Sequence, residues 1–112
     1  MTESNLAGHK PAPTYPENTP EAIVMQALRA IKDPEIGLDV VQLGLIREIV
    51  LDGEEPEIKM MLTTPFCPYG GWLIQSVRDA AEHVTGKKIK MTVLPDLWDP
   101  NYMEDPSLLM GW

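Results

Sequence analysis

Apolar residues recur at two different periods along the chain, and the period changes where proline or glycine interrupts it. Between Pro20 and Asp33, Ile23, Val24, Ala27, Leu28 and Ile31 fall at helical spacing. This predicts a first helix with one buried stripe. Asn18 or Thr19 suits its cap, Pro20 fits its first turn, and Glu21 stands where it completes a capping box with Asn18. The stretch KDPEIG ends the pattern, because Pro34 disfavours helical geometry at Asp33 and Gly37 permits a turn. From Leu38 to Thr64 the chain reads as an extended pair. One strand runs near Ile46 to Leu51, DGEEP turns the chain, and Ile58, Met60 and Leu62 then alternate with Lys59, Met61 and Thr63. The buried face of the first strand is ambiguous, since Arg47 and Glu48 fall on opposite sides.

Helical spacing returns with Leu73, Ile74, Val77, Ala80, Ala81 and Val84, which predicts a second helix over Gly70–Thr85 with Gly86 as its C-cap. Lys88 to Leu94 alternates again and predicts a third strand. The remainder holds a short strand or turn and then an apolar end, SLLMGW. The order α-β-β-α-β plus a C-terminal segment predicts an α+β domain, a two-layer α/β sandwich, over residues 19–112. Residues 1–18 read as a flexible Pro-rich tail, with Leu6 and Tyr15 as apolar handles through which part of it could pack on the domain.

Composition narrows the function. At 112 residues and 44% hydrophobic content, one compact domain with its own core is expected. Nine Lys and Arg stand against 17 acids, for a net charge of -8, so the basic face that nucleic acid demands is missing. Lys87, Lys88 and Lys90 form the main basic concentration and read as a solvated strand edge. No apolar leader opens the chain. Met60 to Val77 lacks formal charge but carries prolines, glycines and threonines, so no membrane span is expected and the predicted location is the cytoplasm. One cysteine makes no internal disulfide and no zinc site by itself, and it suits a reducing compartment.

That cysteine, Cys67, lies in TTPFCPYGGW, between the end of a predicted strand and the start of a predicted helix. Unpaired N–H groups and the positive helix end meet at such a junction and stabilise a thiolate, which is both nucleophile and soft metal ligand. Pro65 and Pro68 restrict the turn, Gly70 and Gly71 leave room for a partner backbone or a bulky inorganic group, and Thr63 and Thr64 offer hydroxyls. A small buried hydrophobe is the competing reading of Cys67. DPEIG, residues 33–37, is the second concentration of interest; its acids either cap local N–H groups or act at a site. His9 lies in the tail. His83 falls roughly 24 Å from Cys67 along a straight helix, too far for a cysteine–histidine dyad. Walker A, G-x-G-x-x-G and H-E-x-x-H patterns are absent from the sequence.

Taken together, DPEIGLDVVQLGLI, LTTPFCP and LPDLWDPNYM resemble the SufT/PaaD-like family of iron–sulfur cluster assembly factors, whose signature is D-P-E followed at a distance by T-x-x-x-C. Asp33, Pro34 and Glu35 match the first part, and Thr63 and Cys67 the second, with Thr64, Pro68, Gly70 and Gly71 in support. The resemblance covers most of the chain from about residue 20. The cysteine-rich extension of the PaaD branch is absent, so that branch's pathway role is not carried over. The resemblance implies the fold of cluster-assembly domains, a role in maturing iron–sulfur proteins, and a required Cys67. Clusters usually take four thiolates; one chain supplies one, and a homodimer with facing sites supplies two. A transfer factor rather than a turnover enzyme is therefore expected. Cys67 would hold iron or a cluster transiently, shared with carrier or scaffold proteins and client apoproteins. The alternatives are an interaction adaptor, using Trp72, Trp98 and Trp112 around a structural cysteine, and, further off, a thiol-dependent enzyme.

Overall fold

The structure is a computed structural model and describes residues 13–34, 36–63, 70–95 and 97–105. Its elements are α1 (Pro20–Leu28), β1 (Ile46–Val50), β2 (Glu57–Met60), α2 (Gly70–Thr85), β3 (Lys90–Val93) and a short 3-10 turn at Pro100–Tyr102.

Helix α1 starts at Thr19. Its extended backbone and hydroxyl form the cap, with Oγ1 accepting the Ala22 N–H at 3.3 Å and donating to the Pro16 carbonyl at 2.7 Å. The expected Asn18–Glu21 box gives way to this single cap. The helix is also shorter than its apolar pattern. Beyond Leu28 the chain tightens into turns, with the Ile31 N–H bonded to the Leu28 carbonyl at 3.1 Å, so Ile31 reaches the core from outside the helix. Ile23, expected in the stripe, is 55% exposed; Val24 and Leu28 do the burying.

The stretch 38–45 is a turn rather than the start of an extended pair. Asp39 Oδ1 accepts the Gln42 N–H at 2.7 Å, and Gln42 Oε1 accepts the Asp39 N–H at 3.1 Å. This reciprocal closure is a capping box in the sequence D-V-V-Q.

Strand β1 then pairs antiparallel with β2, and a bulge resolves its ambiguous face. Ile46 opposes Met60 while Glu48 opposes Lys59, so Arg47 is the extra residue. The phase shift lets both Ile46 and Ile49 point into the core. On the other face Glu48 and Lys59 form an exposed ion pair at 3.2 Å.

Strand β3 pairs parallel to β2, with Ile58 opposite Met91 and Met60 opposite Val93. Helix α2 is the crossover that a parallel pair needs. It has the expected bounds and ends at Gly86, whose φ of 68° and N–H bond to Glu82 at 2.8 Å make the C-cap. Its innermost residues, Leu73, Val77 and Ala81, meet Val24 and Leu28 of α1 and the strand residues Ile46, Ile49, Ile58 and Met60 in one core. Each such burial contributes on the order of 1.5–3 kcal/mol for the larger side chains. The result is the expected two-layer α+β domain, with sheet order β1-β2-β3.

Two segments lock onto this frame from outside. Tyr15 packs on the core, and its hydroxyl accepts the Ile49 N–H at 2.9 Å on the free edge of β1. At the other end of the chain, Trp98 Nε1 donates to the Leu43 carbonyl at 2.8 Å, the Glu104 N–H bonds the Gln42 carbonyl at 3.0 Å, and Met103 is fully buried. No helix among the described residues is long and apolar enough to cross a membrane.

Candidate functional site

The residues singled out from the sequence fall in two stretches, the loop after α1 and the connection from β2 to α2. The first is the DPEIG loop. Asp33 is 1% exposed, so its carboxylate is turned inward. Asp33 Oδ1 accepts the Ile36 N–H at 3.3 Å, and its backbone bonds Leu38 and Gly37 at 2.9 and 2.7 Å. A buried carboxylate holding its own turn in this way fixes the loop's shape. Pro34 is exposed, and Gly37 takes the φ of 86° that closes the turn. The loop is sewn to the domain by the Lys32–Asp39 bridge and by the Val40 N–H on the Ile31 carbonyl at 2.9 Å. The turn that follows delivers Leu45, whose carbonyl accepts the Met61 N–H at 2.8 Å. Backbone bonds thus close the Asp33 turn on Gly37 and Leu38, and separately join Leu45 to Met61 just beyond β2.

The second stretch is the β2–α2 connection. Thr63 is half-buried just beyond the strand. Gly70 opens α2 and is buried; a Cβ there would stand 3.0 Å from Leu62 Cδ1, so glycine lets the helix start press against the strand's end. Gly71 is different: a Cβ there would meet nothing within 4 Å, which leaves open space at the first turn. The sequence assigned both glycines the same role, and the structure separates them. Glu35, Thr64, Cys67 and Pro68 lie outside the described residues. His83 lies in the last turn of α2, at the opposite end from Gly70.

Because β3 is parallel to β2, this junction sits at the carboxyl edge of the parallel pair. Open α/β sheets place ligands at that edge, and the helix N-terminus adds a positive field. Among the described residues no group of three or more His, Cys, Asp or Glu side chains is arranged to hold a metal ion. Sequence reasoning passed over Asp39, Gln42 and Gly44, and it offered Trp98 only as a client-recruiting side chain, whereas Trp98 donates to the Leu43 carbonyl; all four brace the turn at 38–45. The D-x-x-Q spacing was a readable signal for the first two.

A three-stranded sheet with two helices and a strand-to-helix connection at this edge defines the class, a small α+β domain. The family model for iron–sulfur cluster assembly proteins matches residues 21–93, and the chain belongs to that family. An "Fe-S protein maturation auxiliary factor" of Porphyromonas gingivalis is 32% identical over 93 residues, covering 80% of this chain and 88% of the relative. An "Iron-sulfur cluster carrier protein" of Deinococcus radiodurans is 40% identical over 63 residues, which are 56% of this chain but only 18% of that longer protein. The crystal structure of a domain of unknown function from Bacillus anthracis has the same fold, with a TM-score of 0.71 and 25% identity over 82% of this chain and 92% of the other.

Proposed function

We propose that the chain is an auxiliary factor in the assembly or maturation of iron–sulfur proteins, working by transfer rather than turnover. Cys67 shares the ligation of iron or a cluster transiently with a carrier or client, and the cluster is cargo. The observation that carries this reading is the junction of β2 and α2. It belongs to the stretch matched by the cluster-assembly family, and it flanks the chain's single cysteine at the carboxyl edge of the sheet. One thiolate supports transfer better than storage, because a stable cluster usually takes four. In this reading Asp33 and Glu35 shape the neighbouring loop, and Thr63 and Thr64 support the sulfur. Gly71 keeps the approach open.

The test is anaerobic reconstitution of a client apoprotein by the wild-type chain and by Cys67→Ser. Client maturation should fall to the level seen without the factor. Unchanged maturation by the variant removes the role of Cys67. Alkylation of Cys67 in the native state separates the reading from a structural cysteine: fast native-state labelling supports it, and labelling only after unfolding opposes it.

A further inference from the structure

The apolar spacing of both helices calls for burial that the fold does not supply at two positions. Ile23 belongs to the apolar stripe of α1, and Val84 continues that of α2 after Val77 and Ala81. Val24, Leu28, Val77 and Ala81 are buried, whereas Ile23 is 55% exposed and Val84 40%. These two side chains line one groove with Leu51, where the start of α1 meets the end of α2. A single exposed apolar side chain is ordinary. Two that carry the core's own stripes into a shared groove leave the core open at this end, and an open apolar groove marks a contact.

The groove carries charges of both signs, because Glu21, Asp52 and Lys87 all line it. A two-fold contact between identical chains is isologous, so each group meets a group of the same face on the other copy. A face of acids alone would repel itself. Here Lys87 of each copy can stand against Glu21 or Asp52 of the other, and the symmetry makes that contact twice. The net charge of -8 on each chain does not prevent this, since at physiological salt exposed charges more than about 8 Å apart are largely screened.

We infer that this groove is the contact between two copies of the chain, with Ile23 and Val84 at its centre and Lys87 of each copy against the acids of the other. The contact does not depend on the transfer reading. The start of α2, which follows the connection carrying Cys67, lies at the far end of the helix, roughly 22 Å away. A dimer built this way leaves the start of α2 in each copy open to a carrier or client.

Sedimentation velocity of the full chain over a range of concentrations is the test. The wild type should form a dimer whose share rises with concentration. Ile23→Glu and Val84→Glu should each weaken dimerisation by at least about tenfold, with the helical circular dichroism signal retained. Trp72→Glu, similarly exposed at the other end of α2, should leave it unchanged. Lys87→Glu makes the three charged positions of the groove acidic, and the double variant Glu21→Lys with Asp52→Lys makes them basic. Each should be monomeric alone, and the two should associate when mixed. A wild type that stays monomeric up to millimolar concentration overturns the inference. So does a dimer that survives Ile23→Glu and Val84→Glu, or one that Trp72→Glu disrupts equally, or a mixture of the two charge variants that stays monomeric.

Discussion

Gly44 and Gly86 have nearly the same backbone angle, φ of 74° and 68°, yet they do different work. At Gly86 an added Cβ meets nothing within 4 Å, so Gly86→Ala carries only the left-handed penalty, about 1 kcal/mol. At Gly44 the added Cβ would overlap the Tyr102 carbonyl, so Gly44→Ala must also push the 97–105 segment away. The expected cost there is about 2–5 kcal/mol. Urea unfolding of the two variants checks the contrast; equal losses would mean that the Tyr102 backbone yields freely. Arg47 reinforces the same spot, donating to the Gly44 carbonyl at 3.1 Å and lying 4.8 Å over the Tyr102 ring. None of this closeness is visible in the sequence LGLI, where Gly44 looks like any break in an apolar run.

Among the elements, β1 and α2 show how edges and ends are finished. The Tyr15 hydroxyl occupies the backbone of Ile49 on the outer side of β1, where another strand could otherwise add. Tyr15→Phe should cost about 0.5–1.5 kcal/mol in thermal or urea unfolding, with the ring packing retained. At the other end of the crossover, Glu82 accepts the Ile89 N–H at 2.8 Å and Arg78 Nε at 3.3 Å, which ties the helix to the approach of β3. The Ile89 hydrogen bond, followed by Arg78, holds this carboxyl below its ordinary value of 4.5. A depressed folded-state value means the stabilisation is fully present above 4.5 and is lost as pH falls through the lower folded value. The melting-temperature gap between wild type and Glu82→Gln should therefore be constant near neutrality and close as pH drops below 4.5. A gap that persists in acid would show that charge is not the cause. The bounds of helix α2 were legible beforehand, because its apolar spacing, its uncharged start and Gly86 all agree, but Val84, expected in its buried stripe, is exposed in the last turn. Helix α1 was over-read, because Ile31 carries on the apolar spacing although the backbone has already left the helix.

Across the whole molecule, one contact spans 75 positions. Arg29 at the end of α1 grips Glu104 in a two-pronged pair, Nη1–Oε1 at 3.0 Å and Nη2–Oε2 at 2.7 Å. Both side chains are 37% exposed, so water and salt limit the pair to about 0–1 kcal/mol. A double-mutant cycle with Arg29→Ala and Glu104→Ala should give a coupling in that range that shrinks with added salt. A larger, salt-independent coupling would mean that the pair organises the C-terminal segment. The candidate site was partly legible at this scale too. DPEIG and TTPFCP stood out in the sequence, and the resemblance to cluster-assembly factors joined them in a two-part signature. The tie from the 38–45 turn to the end of β2 was not legible, because the Leu45–Met61 hydrogen bond pairs residues from separate stretches.

By itself the sequence determined the local chemistry of this protein: the span of α2, the single thiol and the acid excess. These follow from residue type and short-range spacing, which act before the chain folds. Only the tertiary structure decided that β3 runs parallel beside β2, that Arg47 bulges so both isoleucines of β1 face inward, and that Tyr15 closes the sheet's edge. Period-two spacing records which side chains share a face, but not which strand lies alongside or in which direction. Strand direction matters most for the proposed function. The parallel pairing, with α2 as its crossover, puts the end of β2, the start of α2 and the end of β3 at one edge.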